Sequence, residues 1–178
     1  MRRKILLLGL AFLPLFALCL WLYPYLVPAY KSAIVPVVNV GLGFFEPPLR
    51  MEVTEDGGWQ TYQLEADGSE SKYWYRPGKY LNLMFLGLAL APALLLATPV
   101  DAVRRLRLLV LGMTLLFLLY IPAAFGLVWS VRCLAATPDA TLCIWTKTVA
   151  NIFGQLVSVV LWGLLTWDVW LPAKRQDG

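Results

Sequence analysis

The residues of this sequence that could carry out chemistry are three cysteines, a few polar groups within apolar segments, and scattered carboxylates. The chain contains no histidine, which excludes imidazole-based nucleophiles, proton relays and His-ligated zinc or haem sites built from this chain alone. No cysteine, serine, lysine or carboxylate has a recognisable activating partner at motif spacing. Gly41-Leu42-Gly43 lacks the third glycine of a dinucleotide-binding loop. The sequence therefore predicts no catalytic residue, no metal site and no cofactor, and indicates a non-enzymatic protein.

Two of the cysteines, Cys133 and Cys143, flank a short loop that contains Thr137-Pro138-Asp139. If this loop lies in an oxidising compartment, the two thiols are predicted to form a disulfide. The alternative is two unpaired thiols near the ends of apolar segments, and two thiols without histidine do not favour a metal site. Cys19 lies within an apolar run and is predicted to be a buried helix residue.

Polar residues also occur within the last apolar segment. Asn151 and Gln155 are four residues apart and share a helical face with Ser158, and Gly154 lies beside them. Amides in hydrocarbon form interhelical hydrogen bonds, and small residues allow helices to approach closely, so these four positions are predicted to pack helices together. The alternative is a transport pathway, which would present a water-accessible polar path along Asn82, Asn151 and Gln155.

The composition indicates that membrane-spanning helices position these cysteines and polar residues. Of the 178 residues, 60% are hydrophobic and 15% are charged, against roughly 25% charged residues in an average soluble domain. Apolar segments at about 5–27, 81–98, 108–131 and 148–171 are predicted to span the bilayer. A cleavable signal peptide is the alternative for the first segment, but its apolar run is longer than such peptides use, so we expect a retained anchor.

The net charge of +4 reflects topology rather than a nucleic-acid partner, because the basic residues cluster beside the apolar segments. Basic flanks resist translocation. This rule places both termini in the cytoplasm and residues 28–80 outside. The clusters that fix this orientation are Arg2, Arg3, Lys4, Arg104, Arg105, Arg107, Lys174 and Arg175.

The outer segment carries the only β pattern in the chain. Alternating residues around Asp56-Gly57-Gly58 and Asp67-Gly68 predict a meander with strands at about 50–55, 59–65 and 71–76. The apolar run 32–45 is too short to cross a membrane, and we expect a short interfacial helix there that covers the meander. The predicted fold is a membrane all-α bundle of four transmembrane helices, with a small extracytoplasmic antiparallel β-meander inserted between helices 1 and 2.

This outer segment is unusually aromatic. An interfacial belt at the headgroup level is the favoured interpretation, since Trp and Tyr prefer that depth. Partner binding is the alternative, because about 50 residues exceed what is needed to join two helices, and interfaces concentrate energy in Trp and Tyr. The candidate partner-binding residues are Trp59, Tyr62, Tyr73, Trp74 and Tyr75.

The order of these features resembles that of the bacterial exosortase H-associated membrane proteins. The similarity covers the basic first span, the outer apolar and β-rich segment, and a proline-containing span that opens with Tyr80-Leu81-Asn82-Leu83 and closes with Ala97-Thr98-Pro99. The resemblance implies a multi-pass protein in the inner membrane of a Gram-negative bacterium, beside a sorting transpeptidase that processes tailed secreted proteins. The chain cannot be that transpeptidase, because exosortases share a Cys, Arg and His set and histidine is missing here. A small transporter or channel subunit and a membrane-bound enzyme of unknown reaction are the alternatives.

Overall fold

The fold is mainly helical, with one small antiparallel sheet. The structure is a computed structural model, in which residues 2–45, 48–54, 59–64, 69–73, 85–137 and 140–171 are described. The elements in chain order are α1 Arg2–Leu42, β1 Leu49–Val53, β2 Trp59–Leu64, β3 Glu70–Tyr73, α2 Gly87–Ala97, α3 Ala102–Ala136, α4 Thr141–Leu165 and α5 Trp167–Trp170.

Two helices are long and apolar enough to cross a membrane, over Ile5–Leu42 and Ala102–Leu134. A third span exists if Thr141–Gly154 and Leu156–Leu165, which are bent by 48° relative to each other, are counted as one. Helix α2 is apolar but has 11 residues, which gives about 16 Å of helix against a hydrocarbon core of about 30 Å. These helices are those of a membrane protein, but among the described residues only two or three of the four predicted spans have the required length.

Helix α1 is longer than the sequence predicted. We expected a span near 5–27 and a separate interfacial helix within 32–45, whereas one helix of 41 residues runs to Leu42. It includes Pro14, Pro24, Pro28 and Pro36, which cost backbone hydrogen bonds but are tolerated in membrane helices. Packing of its second half explains why the helix is continuous. Buried residues recur there at helical spacing and form one packed face: Val27, Lys31, Ile34, Val38 and Leu42.

The short helix α2 is the most enclosed element of the bundle. Its contacts are with α1, α3 and α4, and its buried residues are mostly small or leucine: Gly87, Leu88, Ala89, Ala91, Ala93, Leu95 and Ala97. Small side chains allow neighbouring backbones to approach closely. Near its start, Phe85 contacts Tyr30 of α1, and further along, Ala93 packs in the cluster that includes Phe12 and Phe16. Helices α1 and α2 are therefore antiparallel.

The sheet has the strand order β1-β2-β3 with both neighbouring pairs antiparallel. Met51 is paired with Thr61 and Val53 with Trp59. The observed strands agree with the predicted ones to within two residues where they can be compared, and residues 74–76 of the third predicted strand lie outside the described residues. As expected for the apolar run 32–45, the second half of α1 packs on β1, although as part of a longer helix.

Candidate functional site at the sheet–helix junction

A buried lysine lies against an aromatic ring where the sheet meets the helices. Lys31 is 3% exposed, and its Nζ atom lies 5.5 Å from the centroid of the Phe85 ring. This is a cation–π arrangement, which is stronger where the cation is desolvated. Lys31 lies on the same face of α1 as the buried residues Val27 and Ile34. Packing of this face against the rest of the protein places the ammonium group in the junction.

Phe85 is the centre of the aromatic contacts. Its ring centroid lies 5.4 Å from that of Trp59 on β2, 5.3 Å from that of Tyr120 on α3 and 6.1 Å from that of Tyr30 on α1. The Trp59 and Tyr30 rings meet Phe85 edge to face, at 86° and 74°, which is a favoured geometry for aromatic pairs. One residue thus joins the sheet to two long helices.

Two polar atoms in this cluster have no hydrogen-bond partner among the described residues. They are the hydroxyl of Tyr30 and the indole nitrogen of Trp59, both buried. A buried unpaired donor costs roughly 1–3 kcal/mol, so the aromatic packing must offset this cost. The aromatic rings at the junction are buried and packed together, and this packing can hold the sheet in one orientation relative to the helices.

A second contact holds the edge of the sheet. The Asn39 side chain of α1 donates from Nδ2 to the Met51 carbonyl at 2.9 Å and accepts from the Met51 amide at Oδ1 at 2.8 Å. One amide side chain thereby replaces a neighbouring strand at this position and satisfies both backbone groups of Met51. Leu49 and Met51 are buried on the same face.

The opposite face of the sheet is polar where the structure describes it. Arg50 and Glu52 form an ion pair at 3.1 Å, and their side chains are 64% and 44% exposed. Tyr62, which is paired in register with Arg50 and with Lys72, is half-buried.

The structure separates the five aromatic partner-binding candidates. Trp59 is 2% exposed and belongs to the core, so its ring is not presented to a partner. Tyr62 remains accessible in part. The side chain of Tyr73, and Trp74 and Tyr75 as a whole, lie outside the described residues.

The residues predicted to pack helices surround the bend in α4. The Tyr120 hydroxyl donates to the Gly154 carbonyl at 2.9 Å. Ser158 is fully buried, and the Asn151 amide donates to the Lys147 carbonyl of its own helix. Among the described side chains, neither the Ser158 hydroxyl nor the Asn151 oxygen has a hydrogen-bond partner. The side chain of Gln155 lies outside the described residues. Gly154 and Ser158 therefore lie at a contact between helices, against Gly87 of α2.

The predicted cysteine pair lies where α3 and α4 meet. The sulfur atoms of Cys133 and Cys143 are at bonding distance, and their Cα atoms are 5.9 Å apart, within the usual range for a disulfide. Cys19 is buried in α1, as predicted, and is a free thiol.

The opposite end of the bundle is basic and tightly connected. Asp101 caps α3 by accepting from the Arg104 amide, and the Arg104 side chain pairs with Asp168 of α5. This hydrogen bond from Arg104 holds the pKa of the Asp168 carboxyl below its usual range. The Arg105 guanidinium donates to the carbonyls of Thr98 and Val100, and so satisfies backbone groups at the end of α2.

Five residues of the junction are not predicted from the sequence: Tyr30, Lys31, Asn39, Phe85 and Tyr120. The signal for Lys31 was available, since it falls on the helical spacing 27, 31, 34, 38 and 42, but Pro36, Gly41 and Gly43 favour a break in this stretch. Nothing local marks Asn39 or Phe85, because their partners are distant in sequence.

Within the described residues, no group of three or more potential metal ligands comes together. Comparison with known proteins gave no matching family model, no matching curated protein and no matching solved structure.

Proposed function

We propose that this protein is a non-enzymatic accessory protein of the bacterial inner membrane that acts beside an exosortase-type protein-sorting transpeptidase. In this proposal the extracytoplasmic sheet is the part that contacts the partner, and the helices anchor it in the lipid bilayer. The observation that carries the proposal is the double attachment of the sheet, through Asn39 to Met51 and through Trp59 to Phe85. A sheet fixed at two points presents its polar face in one orientation, which lowers the entropic cost of binding.

The same proposal has four membrane-crossing segments with both termini in the cytoplasm. Its support is the path of α2. This helix begins just after Phe85, which contacts Tyr120, and ends just before Thr98, which contacts Arg105 and Trp162. Short as it is, α2 returns the chain to the basic end of α3. The cysteine pair belongs to the other end, where an oxidising compartment would permit a disulfide.

The face of the sheet that would contact a partner includes fewer of the five aromatic candidates than the sequence suggested. Arg50, Glu52 and Tyr62 are its accessible members among the described residues. Gln60, which is paired with Glu52 on the same face, is buried, and Trp59 maintains the fold. Placing a photo-crosslinking amino acid at Tyr62 should therefore capture a membrane neighbour in cells. The control is the same crosslinker at Phe44, which is 85% exposed at the end of α1.

Substitutions give an independent test of this face. Tyr62→Ala should reduce co-purification of the captured protein several-fold at an unchanged protein level, because a Tyr at an interface can contribute 2 kcal/mol or more. Trp59→Ala should instead lower the amount of folded protein, because it removes a core ring. If crosslinks from Tyr62 and Phe44 identify the same proteins, and Tyr62→Ala copurifies every neighbour as well as the parent, the proposed partner surface is wrong.

One observation favours the alternative of a small transporter or channel subunit. The 48° bend in α4 lies beside Tyr120, Gly154 and Ser158, and interrupted helices with polar groups form substrate sites in transporters. Cysteine substitution at Asn151 and Ser158 distinguishes the two functions. Labelling of both by a membrane-impermeant thiol reagent would indicate a water-accessible path, whereas protection of both is expected for a packed contact.

A further inference from the structure

The outer side of α3 at its basic end carries an arginine above an apolar groove. The groove has a volume of about 420 Å³ and is lined by Leu106, Arg107, Val110, Leu111 and Thr114. These positions repeat at helical spacing, so the groove follows one face of α3 for about 12 Å. Leu106, Val110 and Leu111 are 62%, 60% and 48% exposed, so within the described structure this face packs against no other element.

Arg107 differs from the two arginines beside it. Arg104 is paired with Asp168, and Arg105 donates to backbone carbonyls. Arg107 is exposed and makes no ion pair or hydrogen bond within the described part of the chain. Its guanidinium group therefore has its donors available for an anion.

We infer that Arg107 and this groove bind an anionic glycerophospholipid. The guanidinium group holds the phosphate, and one acyl chain lies along Leu106, Val110 and Leu111. Arg107 lies near the start of the candidate span Ala102–Leu134, so a charge beside an apolar groove matches the order of headgroup and chain in a lipid. A partner helix would leave the guanidinium group without an anion, and a soluble anion would leave the groove uncovered. The inference goes beyond the proposed function and does not depend on it.

Lipid retention by the purified full-length protein tests this site. The detergent-solubilised protein is incubated with phosphatidylglycerol or phosphatidylcholine, and bound lipid is measured by native mass spectrometry. The parent protein should retain phosphatidylglycerol preferentially. Arg107→Gln should weaken that binding about fivefold, the effect of one basic residue near a lipid surface, without changing phosphatidylcholine binding.

A second variant tests the groove apart from the charge. Val110→Trp fills the groove and should also reduce phosphatidylglycerol retention, although Arg107 is present. The matched control is Arg50→Gln, which removes one exposed arginine from the sheet and should leave retention unchanged. Equal retention by the parent and Arg107→Gln would overturn the site. Competition by free glycerol phosphate as effective as by the lipid would also overturn it, because the acyl chain would then contribute nothing.

Discussion

Gly87 lies at a point of very close approach between α2 and its neighbours. A Cβ atom added there would lie 2.6 Å from the Tyr120 hydroxyl oxygen, 3.3 Å from the Gly154 carbonyl oxygen, and closer still to the hydroxyl of Ser158. Tyr120 and Gly154 are already hydrogen-bonded to each other. Glycine is needed at this position because the neighbouring atoms leave no space for a side chain, and not because of its backbone conformation. Adding one methyl group therefore tests the contact.

We expect Gly87→Ala to destabilise the protein by about 1–3 kcal/mol, the usual cost of overpacking a core. The control Gly163→Ala adds the same methyl group in open space and should be neutral or slightly stabilising. Combining Gly87→Ala with Ser158→Ala should recover part of the loss, since Ser158 holds the nearest atom. Thermal unfolding in detergent measures all four proteins, and a Gly87→Ala variant as stable as the parent would contradict the close contact.

At the scale of elements, the sheet depends on α1 for its attachment. Asn39 satisfies both backbone groups of Met51. The rest of the attachment is apolar and aromatic, through Met51, Leu49 and Trp59. A small three-stranded sheet gains much of its stability from such packing, so weakening its contacts with α1 should destabilise the sheet.

Asn39→Ala should therefore loosen the sheet without unfolding the bundle. It leaves the Met51 amide and carbonyl unpaired, at a cost of roughly 1–3 kcal/mol for each group that stays buried. Hydrogen–deuterium exchange should become faster in β1 and β2 and remain slow in α3. Val40→Ala, at an exposed position of the same helix turn, is the control. Unchanged exchange in β1 would show that the aromatic packing alone holds the sheet.

At the scale of the whole molecule, one ion pair joins the start of α3 to the last helix. Arg104 and Asp168 are 64 residues apart in sequence and both are exposed in part. The pair lowers the pKa of Asp168 relative to an unfolded chain, in which a free Asp has a pKa of about 3.9. The pair therefore stabilises the fold above that pH and loses its effect as pH falls through the lower pKa of the folded protein.

Asp168→Asn should lower the melting temperature at neutral pH, and the difference from the parent should disappear as the pH falls below about 4. The control Glu52→Gln removes an exposed ion pair within a single strand and should change the melting temperature little at any pH. Thermal unfolding across a pH series checks both. If the melting temperatures of Asp168→Asn and the parent differ as much at acid pH as at neutral pH, the destabilisation does not come from loss of the Asp168 carboxylate.

The sequence by itself determined the properties that depend on local composition and short spacing. Apolar segments identified a membrane protein, alternation around Asp-Gly turns identified the strands, and two cysteines ten residues apart identified the pair at the α3–α4 turn. Hydrophobicity and turn chemistry are properties of neighbouring residues, so they can be recognised without knowing what packs where.

Only the tertiary structure decided which residues meet across the chain. It placed Trp59 in the core instead of on a partner surface, carried Lys31 onto the Phe85 ring, and showed α1 continuing through four prolines to Leu42. Each outcome depends on partners distant in sequence: Trp59 is buried against Phe85, which lies just before α2 and packs in turn on Tyr120 of α3. The secondary-structure preference of a short segment predicts its structure poorly where contacts with distant residues outweigh that preference. Those contacts cannot be recognised from the local sequence pattern.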